Sequence, residues 1–168
     1  MKKLFLILII TLGLTLKSNA QIQSMAGPRL GITLIGSGET ADMLTGYDDG
    51  PSTFTTQYGW QWESRFADGG NITGLAEWVV LLGGMERGKF LPSISSLIGF
   101  RTVEGFEAGM GPNLTLAGIG MVFGVGFTAT SGKLNMPFNI VYSPCKDNDW
   151  IESGPTFSIL VGFNIATE

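Results

Sequence analysis

Six charged residues sit inside stretches that otherwise alternate bulky apolar side chains with small or polar ones: Arg29, Glu63, Arg65, Glu77, Arg101 and Glu107. Glu63 with Glu77 or Glu107 could form a carboxylate pair, the arrangement used in general acid–base hydrolysis. Three arginines in the same set point instead to ion pairing, which compensates charges withdrawn from water. The chain has no histidine, so no mechanism with an imidazole base or imidazole metal ligand is open to it. A serine nucleophile would need another base, and no lysine stands beside a serine at a suggestive strand spacing. Asp42, Asp48 and Asp49 could attract a divalent cation, but they lack the alternating spacing of a calcium loop and read as a solvated acidic loop. The glycines at Gly36, Gly38 and Gly120 are expected to follow no strand-to-helix transition, so a phosphate cradle is rejected. No catalytic residue, metal site or cofactor is expected.

The elements that position the six charges read as strands. In residues 57–66 one face holds Gln57, Gly59, Gln61, Glu63 and Arg65, and the other Tyr58, Trp60, Trp62, Ser64 and Phe66. Residues 106–115 alternate Phe106, Ala108, Met110, Pro112 and Leu114 with Glu107, Gly109, Gly111, Asn113 and Thr115. Residues 119–128 set Ile119, Met121, Phe123, Val125 and Phe127 against glycine, valine and threonine. The same period of two runs through 28–35, 90–101, 134–142 and 155–164, and alternation sustained this long is a strand signal. Residues 77–85 are apolar on both faces, with a phase resting on Glu77 and Trp78. Turn chemistry near Asp68, Arg87, Gly105, Gly118 and Gly132 separates eight strands, and two longer connections fall at 36–53 and 143–153.

Lys2 and Lys3 precede an apolar run from Leu4 to Leu16, and Ser18-Asn19-Ala20 supplies small residues before Gln21. Residues 1–20 thus read as a secretory signal peptide cleaved after Ala20, and 21–168 as one domain. Cys145 is the only cysteine, so no internal disulfide is expected and the thiol reads as a loop bystander. Charged residues are 14% of the chain, against roughly 25% in ordinary soluble domains. The formal net charge of −4 leaves no basic footprint for nucleic acid. No later run of apolar residues is long enough for a transmembrane helix.

Charge decides which face is inside. The bulky face of all eight strands carries no charge, while the opposite face collects the six charged residues with many Gly, Ser, Thr and Asn. Thirteen aromatics on the bulky face are too large for an interior just wide enough for side chains. Turned outward they would face hydrocarbon, and backbone polar groups would be satisfied by closure of the ladder, as lipid demands. Tyr58, Trp60, Trp62, Trp78 and Tyr142 then read as membrane-interface aromatics. The expected fold is all-β, an eight-stranded antiparallel up-and-down transmembrane β-barrel. The alternative is a secreted, soluble periplasmic barrel that binds an apolar ligand.

The leader, the eight period-two strands, the aromatic ends and the short turns resemble the small eight-stranded outer-membrane barrels of Gram-negative bacteria, the OmpA transmembrane domain and OmpX-like group. The resemblance covers Met25 to Phe163. The segment Gly154-Pro-Thr-Phe-Ser-Ile-Leu-Val-Gly-Phe-Asn164 is similar to the terminal strand signal read by barrel-assembly machinery, although here the chain continues to Glu168. The resemblance implies an outer-membrane location, lipid as surroundings, both termini in the periplasm, and the connections 36–53 and 143–153 outside. Extended external strands for docking are not implied. Enzymes among outer-membrane barrels rely on a histidine that this chain lacks, so a non-enzymatic structural or surface-interaction role is expected, around a filled polar lumen. The sequence names no ligand or specific protein partner.

Overall fold

The structure is a computed structural model and describes residues 24–46, 52–132, 134–147 and 152–167. The leader expected at 1–20, the cleavage site expected after Ala20, and Asp48 and Asp49 lie outside the described residues.

Eight antiparallel strands close on themselves. They are β1 (Ser24–Ile35), β2 (Thr53–Asp68), β3 (Ile72–Gly83), β4 (Leu91–Thr102), β5 (Phe106–Thr115), β6 (Gly118–Ser131), β7 (Leu134–Ser143) and β8, which runs Thr156–Gly162 and resumes at Asn164–Thr167. Each pairs with its sequence neighbour, and β8 also pairs with β1, so the sheet has no free edge. Backbone donors and acceptors along the strands are therefore used internally.

The register fixes the shape. Following paired residues around the wall leads from Ser24 through Ser64, Ala76, Ile98, Met110, Phe123, Tyr142 and Phe157 to Leu34. One circuit thus climbs β1 from position 24 to position 34, a stagger of ten residues. Closure with such a stagger tilts strands by roughly 35–45° from the barrel axis. A ten-residue strand at that tilt spans about 25 Å, the height of the apolar band of outer-membrane barrels.

The eight expected strands are all present, each in the expected phase and several with longer ends. Residues 77–85 looked apolar on both faces for a structural reason. Trp78 points outward, while Leu75, Val79 and Leu81 point inward and are buried. A bulge between Arg65 and Ala67 in the β2–β3 ladder lets β2 bend near its turn. Tight turns join strands at the end where the described chain begins and finishes. At one of them Gly105 takes φ +96, and a β-carbon there would lie 2.4 Å from the carbonyl oxygen of Thr128. Both the dihedral and the close approach require glycine.

Two expectations about the opposite end need correction. Residues 36–53 are not loop throughout, because α1 (Glu39–Thr45) lies within them. Ala41 and Leu44, three residues apart, bury one face against Ile35 and Leu91. Gly46 ends the helix in the left-handed region, φ 76, with its N–H on the Asp42 carbonyl. Gly36-Ser37-Gly38 therefore does join a strand to a helix, and the reason given for rejecting a phosphate cradle does not hold. The helix has only seven residues, and its first turn carries Glu39 and Asp42, which oppose an anion there. The connection after β7 likewise holds regular structure: Lys146–Asp147 pairs with Glu152–Ser153.

Candidate functional site

The outward surface is one continuous apolar belt. Leu30, Ile32 and Leu34 of β1 stand beside Phe157, Ile159 and Val161 of β8, and all six are exposed. Tyr58, Trp60, Trp62, Trp78 and Tyr142 all face outward, Trp62 with 48% of its surface exposed. Trp62 and Trp78 are direct cross-strand partners. Tyr142 lies near the loop end of β7, its ring 4.7 Å from that of Phe157. Among the described residues, no charged side chain of β1–β8 stands on this outward face.

The charges are inside, near the end that carries the tight turns. Arg101 and Glu107 are directly opposite on β4 and β5. Arg101 donates through Nη1 to Glu63 Oε1 and through Nη2 to Glu63 Oε2, both at 2.7 Å, and through Nε to Glu107 Oε2 at 2.8 Å. Glu107 also accepts from Thr128 Oγ1 at 3.0 Å and Asn139 Nδ2 at 2.6 Å. Arg65 approaches Glu63 at 3.9 Å from a more exposed position. Glu77 is the cross-strand partner of Glu63, on the same inward face, but makes no salt bridge among the described residues. Arg29 is likewise outside the salt-bridged group. It is 1% exposed and donates through Nε to Gln61 Oε1 at 2.8 Å, with its stem over Gly162. Four of the six charges thus form one linked cluster, and a fifth is held by an amide. Two carboxylates shared by one bidentate guanidinium make a structural clamp, since neither oxygen pair is left to move a proton.

The lumen is not uniformly polar, which corrects the expectation of a polar bore. Beyond the ionic layer, Val79, Leu81, Leu97, Val122 and Leu160 pack together with Val141 and form an apolar layer across the barrel. Past it toward the loops hydroxyl and amide groups join apolar ones on the wall. Thr33 Oγ1 and Ser158 Oγ lie 2.7 Å apart, and Asn113 Nδ2 donates to Ser93 Oγ at 2.8 Å and Ser95 Oγ at 2.9 Å. A cavity of about 110 Å³ occupies this part, with Thr40 and Met43 of α1 on its rim.

Lys146 and Glu86, which position this end, were not singled out from the sequence. Lys146 turns into the mouth and donates to Asn113 Oδ1, with Thr115 Oγ1 at 3.4 Å. Gly120 is small because that lysine lies over it: a β-carbon there would be 2.7 Å from Lys146 Cε. Glu86, in the 3-10 turn Met85–Arg87, accepts from Thr55 Oγ1 at 2.6 Å, Thr56 N at 3.0 Å and Thr56 Oγ1 at 2.7 Å. Desolvation pushes its carboxyl up, but these hydrogen bonds outweigh it and hold the pKa down at about 2. The neighbouring Arg87 donates to the Leu44 carbonyl at 3.3 Å and stacks on Phe54 at 5.5 Å. The β3–β4 connection is thereby strapped to both β2 and α1. Asp42 lies within α1, and Cys145 is exposed and free.

No protein-family model matches the chain, and no curated protein matches it. Among solved structures it is similar to Neisserial surface protein A, with a TM-score of 0.54 at 11% identity over 86% of this chain and 97% of that one. Ail, the attachment invasion locus protein of Yersinia pestis, aligns with a TM-score of 0.27 at 13% identity, over 86% of this chain and 99% of that one. The complex of Ail with the heparin analogue sucrose octasulfate gives 0.28 at 15% identity, over the same shares. The first of these similarities is one of fold: a small, closed, eight-stranded up-and-down barrel.

Proposed function

We propose that this chain is an outer-membrane β-barrel protein with a structural or surface-contact role and no enzymatic activity. The leader at 1–20 directs it out of the cytoplasm and is cleaved after Ala20, and 21–168 form the barrel. β1–β8 span the bilayer, lipid acyl chains surround the belt, and the terminal segment ending near Asn164 engages barrel-assembly machinery. The observation that carries this reading is the sidedness of charge. Arg29, Glu63, Arg101 and Glu107 are buried in the lumen, while the outward face of the strands is dominated by apolar side chains and carries no charge among the described residues. In water a contiguous patch of that extent favours aggregation; in a bilayer it is the required surface. Tyr58, Trp60, Trp62, Trp78 and Tyr142 supply aromatic contacts to the interface.

The geometry favours ion pairing over acid–base chemistry, because Glu63 and Glu107 are both engaged by Arg101. The apolar layer formed by Val79, Leu97, Leu160 and their neighbours closes the bore, so general diffusion is not the role. A soluble carrier of an apolar ligand finds less support, because the apolar layer of the lumen is filled by its own side chains and the bulky apolar groups of the strands face outward. Two measurements test the reading. The protein should fractionate with outer membranes and migrate differently in detergent gels with and without heating. Trp62 and Trp78 should also be quenched by brominated lipid and spared by aqueous iodide. A monomer recovered from periplasmic extract without detergent would overturn it.

A further inference from the structure

We propose that the cavity at the loop end of the barrel binds a small, freely diffusing anion that carries its own hydrogen-bond donor, such as a hydroxycarboxylate or hydrogenphosphate. The charge balance of the cavity is the first argument. Among the described residues Lys146 is the one charged group on its wall and no carboxylate lines it, and the lysine is only 9% exposed. Its ammonium is met by uncharged oxygens, Asn113 Oδ1 and Thr115 Oγ1. Those dipoles solvate the charge without neutralising it, and buried charges are ordinarily paired. Desolvation pushes the lysine pKa below its usual range, a penalty that a bound anion relieves.

The second argument is an orphaned acceptor on the same wall. Gln57 Oε1 is buried and accepts no hydrogen bond among the described residues. A ligand that offered only oxygens would satisfy Lys146 and leave Gln57 unsatisfied. A ligand with an added O–H satisfies both. Size sets the third limit. A cavity of about 110 Å³ has room for roughly four waters at about 30 Å³ each, which suits a molecule of a few heavy atoms. The apolar layer floors the cavity and α1 stands on its rim. The strand wall separates it from the outward face, so a lipid headgroup on that face does not reach it.

The test is a nitrogen-15 NMR titration of the folded mature chain in micelles at constant ionic strength, with inorganic phosphate, lactate and sulfate as probes. Phosphate and lactate should give saturable shifts at Gln57, Asn113 and Thr115. Sulfate, which carries no O–H at neutral pH, should bind more weakly. Lys146→Met should weaken phosphate at least about tenfold, equivalent to about 1.4 kcal/mol, while Lys146→Arg retains binding. Gln57→Leu should erase the preference for phosphate over sulfate. Shifts that do not saturate, or that persist unchanged in Lys146→Met, would overturn the proposal by assigning the lysine to water or to the neighbouring loop. This outcome is independent of the bilayer reading, because fractionation and lipid quenching do not depend on Lys146.

Discussion

Arg101 grips both carboxylate oxygens of Glu63 across the lumen, at 2.7 Å each, although the two residues lie on β4 and β2 with β3 between them. The same guanidinium holds Glu107 on β5. One cationic fork therefore ties three strands together from the inside, where the backbone ladder ties only neighbours.

Removing that fork strands two buried carboxylates. Arg101→Met should lower the stability of the folded barrel by about 3–5 kcal/mol, the usual consequence of breaking a buried pair. Urea unfolding in lipid vesicles, followed by tryptophan emission, measures it. Adding Glu63→Gln and Glu107→Gln should recover most of the loss, because the orphaned charges go with it. Equal losses in the single and triple variants would show that the effect is one of packing.

A charge placed on the belt reports its surroundings. Ile159 is 64% exposed in mid-strand, with Ile32 and Ile140 as cross-strand partners. In a bilayer Ile159→Arg should cost about 2–4 kcal/mol. On a hydrated surface it should stay within about 0.5 kcal/mol. The vesicle assay used for Arg101 separates the two, and a near-zero change would count against lipid contact.

Strands and their phase were legible because a barrel wall imposes a strict two-residue period on every segment, with chemistry that differs sharply across it. Phe123, Phe127 and Phe138 against Gly124, Gly126 and Asn139 carry the signal without any tertiary knowledge. The wall becomes ambiguous only where Val79 and Leu81 make the inner face apolar too. The loop end was largely illegible for a different reason. The seven residues of α1 are too few for a helical period to register, and that helix is held by Ile35 and Leu91 rather than by propensity. Lys146 sits in a polar run that reads as solvated, and only its contacts with Asn113, Thr115 and Gly120, distant in sequence, show that it turns inward. Within the ionic set, sequence grouped the six charges but not their partners. Pairing depends on register across three strands, which placed Arg29 against Gln61 instead of a carboxylate.

Gly120 should control the placement of the Lys146 loop. Valine there would occupy the space of the lysine stem, whose far end is flexible, so the loop yields before the barrel does. Gly120→Val should leave the heat-modifiable gel shift intact and expose the Lys146 peptide bond to trypsin. Limited proteolysis with mass spectrometry reads the cleavage. A variant as resistant as the parent would mean that the lysine is held by the remainder of its loop.

The strap made by Glu86 should respond to acid. Its carboxyl is held at about 2 in the folded chain, against 4.5 for the unperturbed group. A depressed value contributes stability above the unperturbed pKa, and that contribution is lost as pH falls through about 4.5 toward 2. The group is exposed, so screening keeps the effect within about 1 kcal/mol. Protection from hydrogen exchange at Gly84 and Thr56, taken relative to the intrinsic rate at each pH, should fall over that interval in the parent and be already low, with no such acid step, in Glu86→Gln. A parallel acid response in both proteins would assign the change elsewhere.

The closure of the wall also governs when the chain can fold during its manufacture. β1 pairs along its length with both β2 and β8, and Ser24 meets Thr167, so the earliest strand has its second neighbour in the latest one. A growing polypeptide lacks that partner until β8 has been made, and any partial sheet formed before then bears two open edges and a bare greasy exterior. Such a product is prone to aggregate. A chain kept extended until β8 is made avoids that exposure.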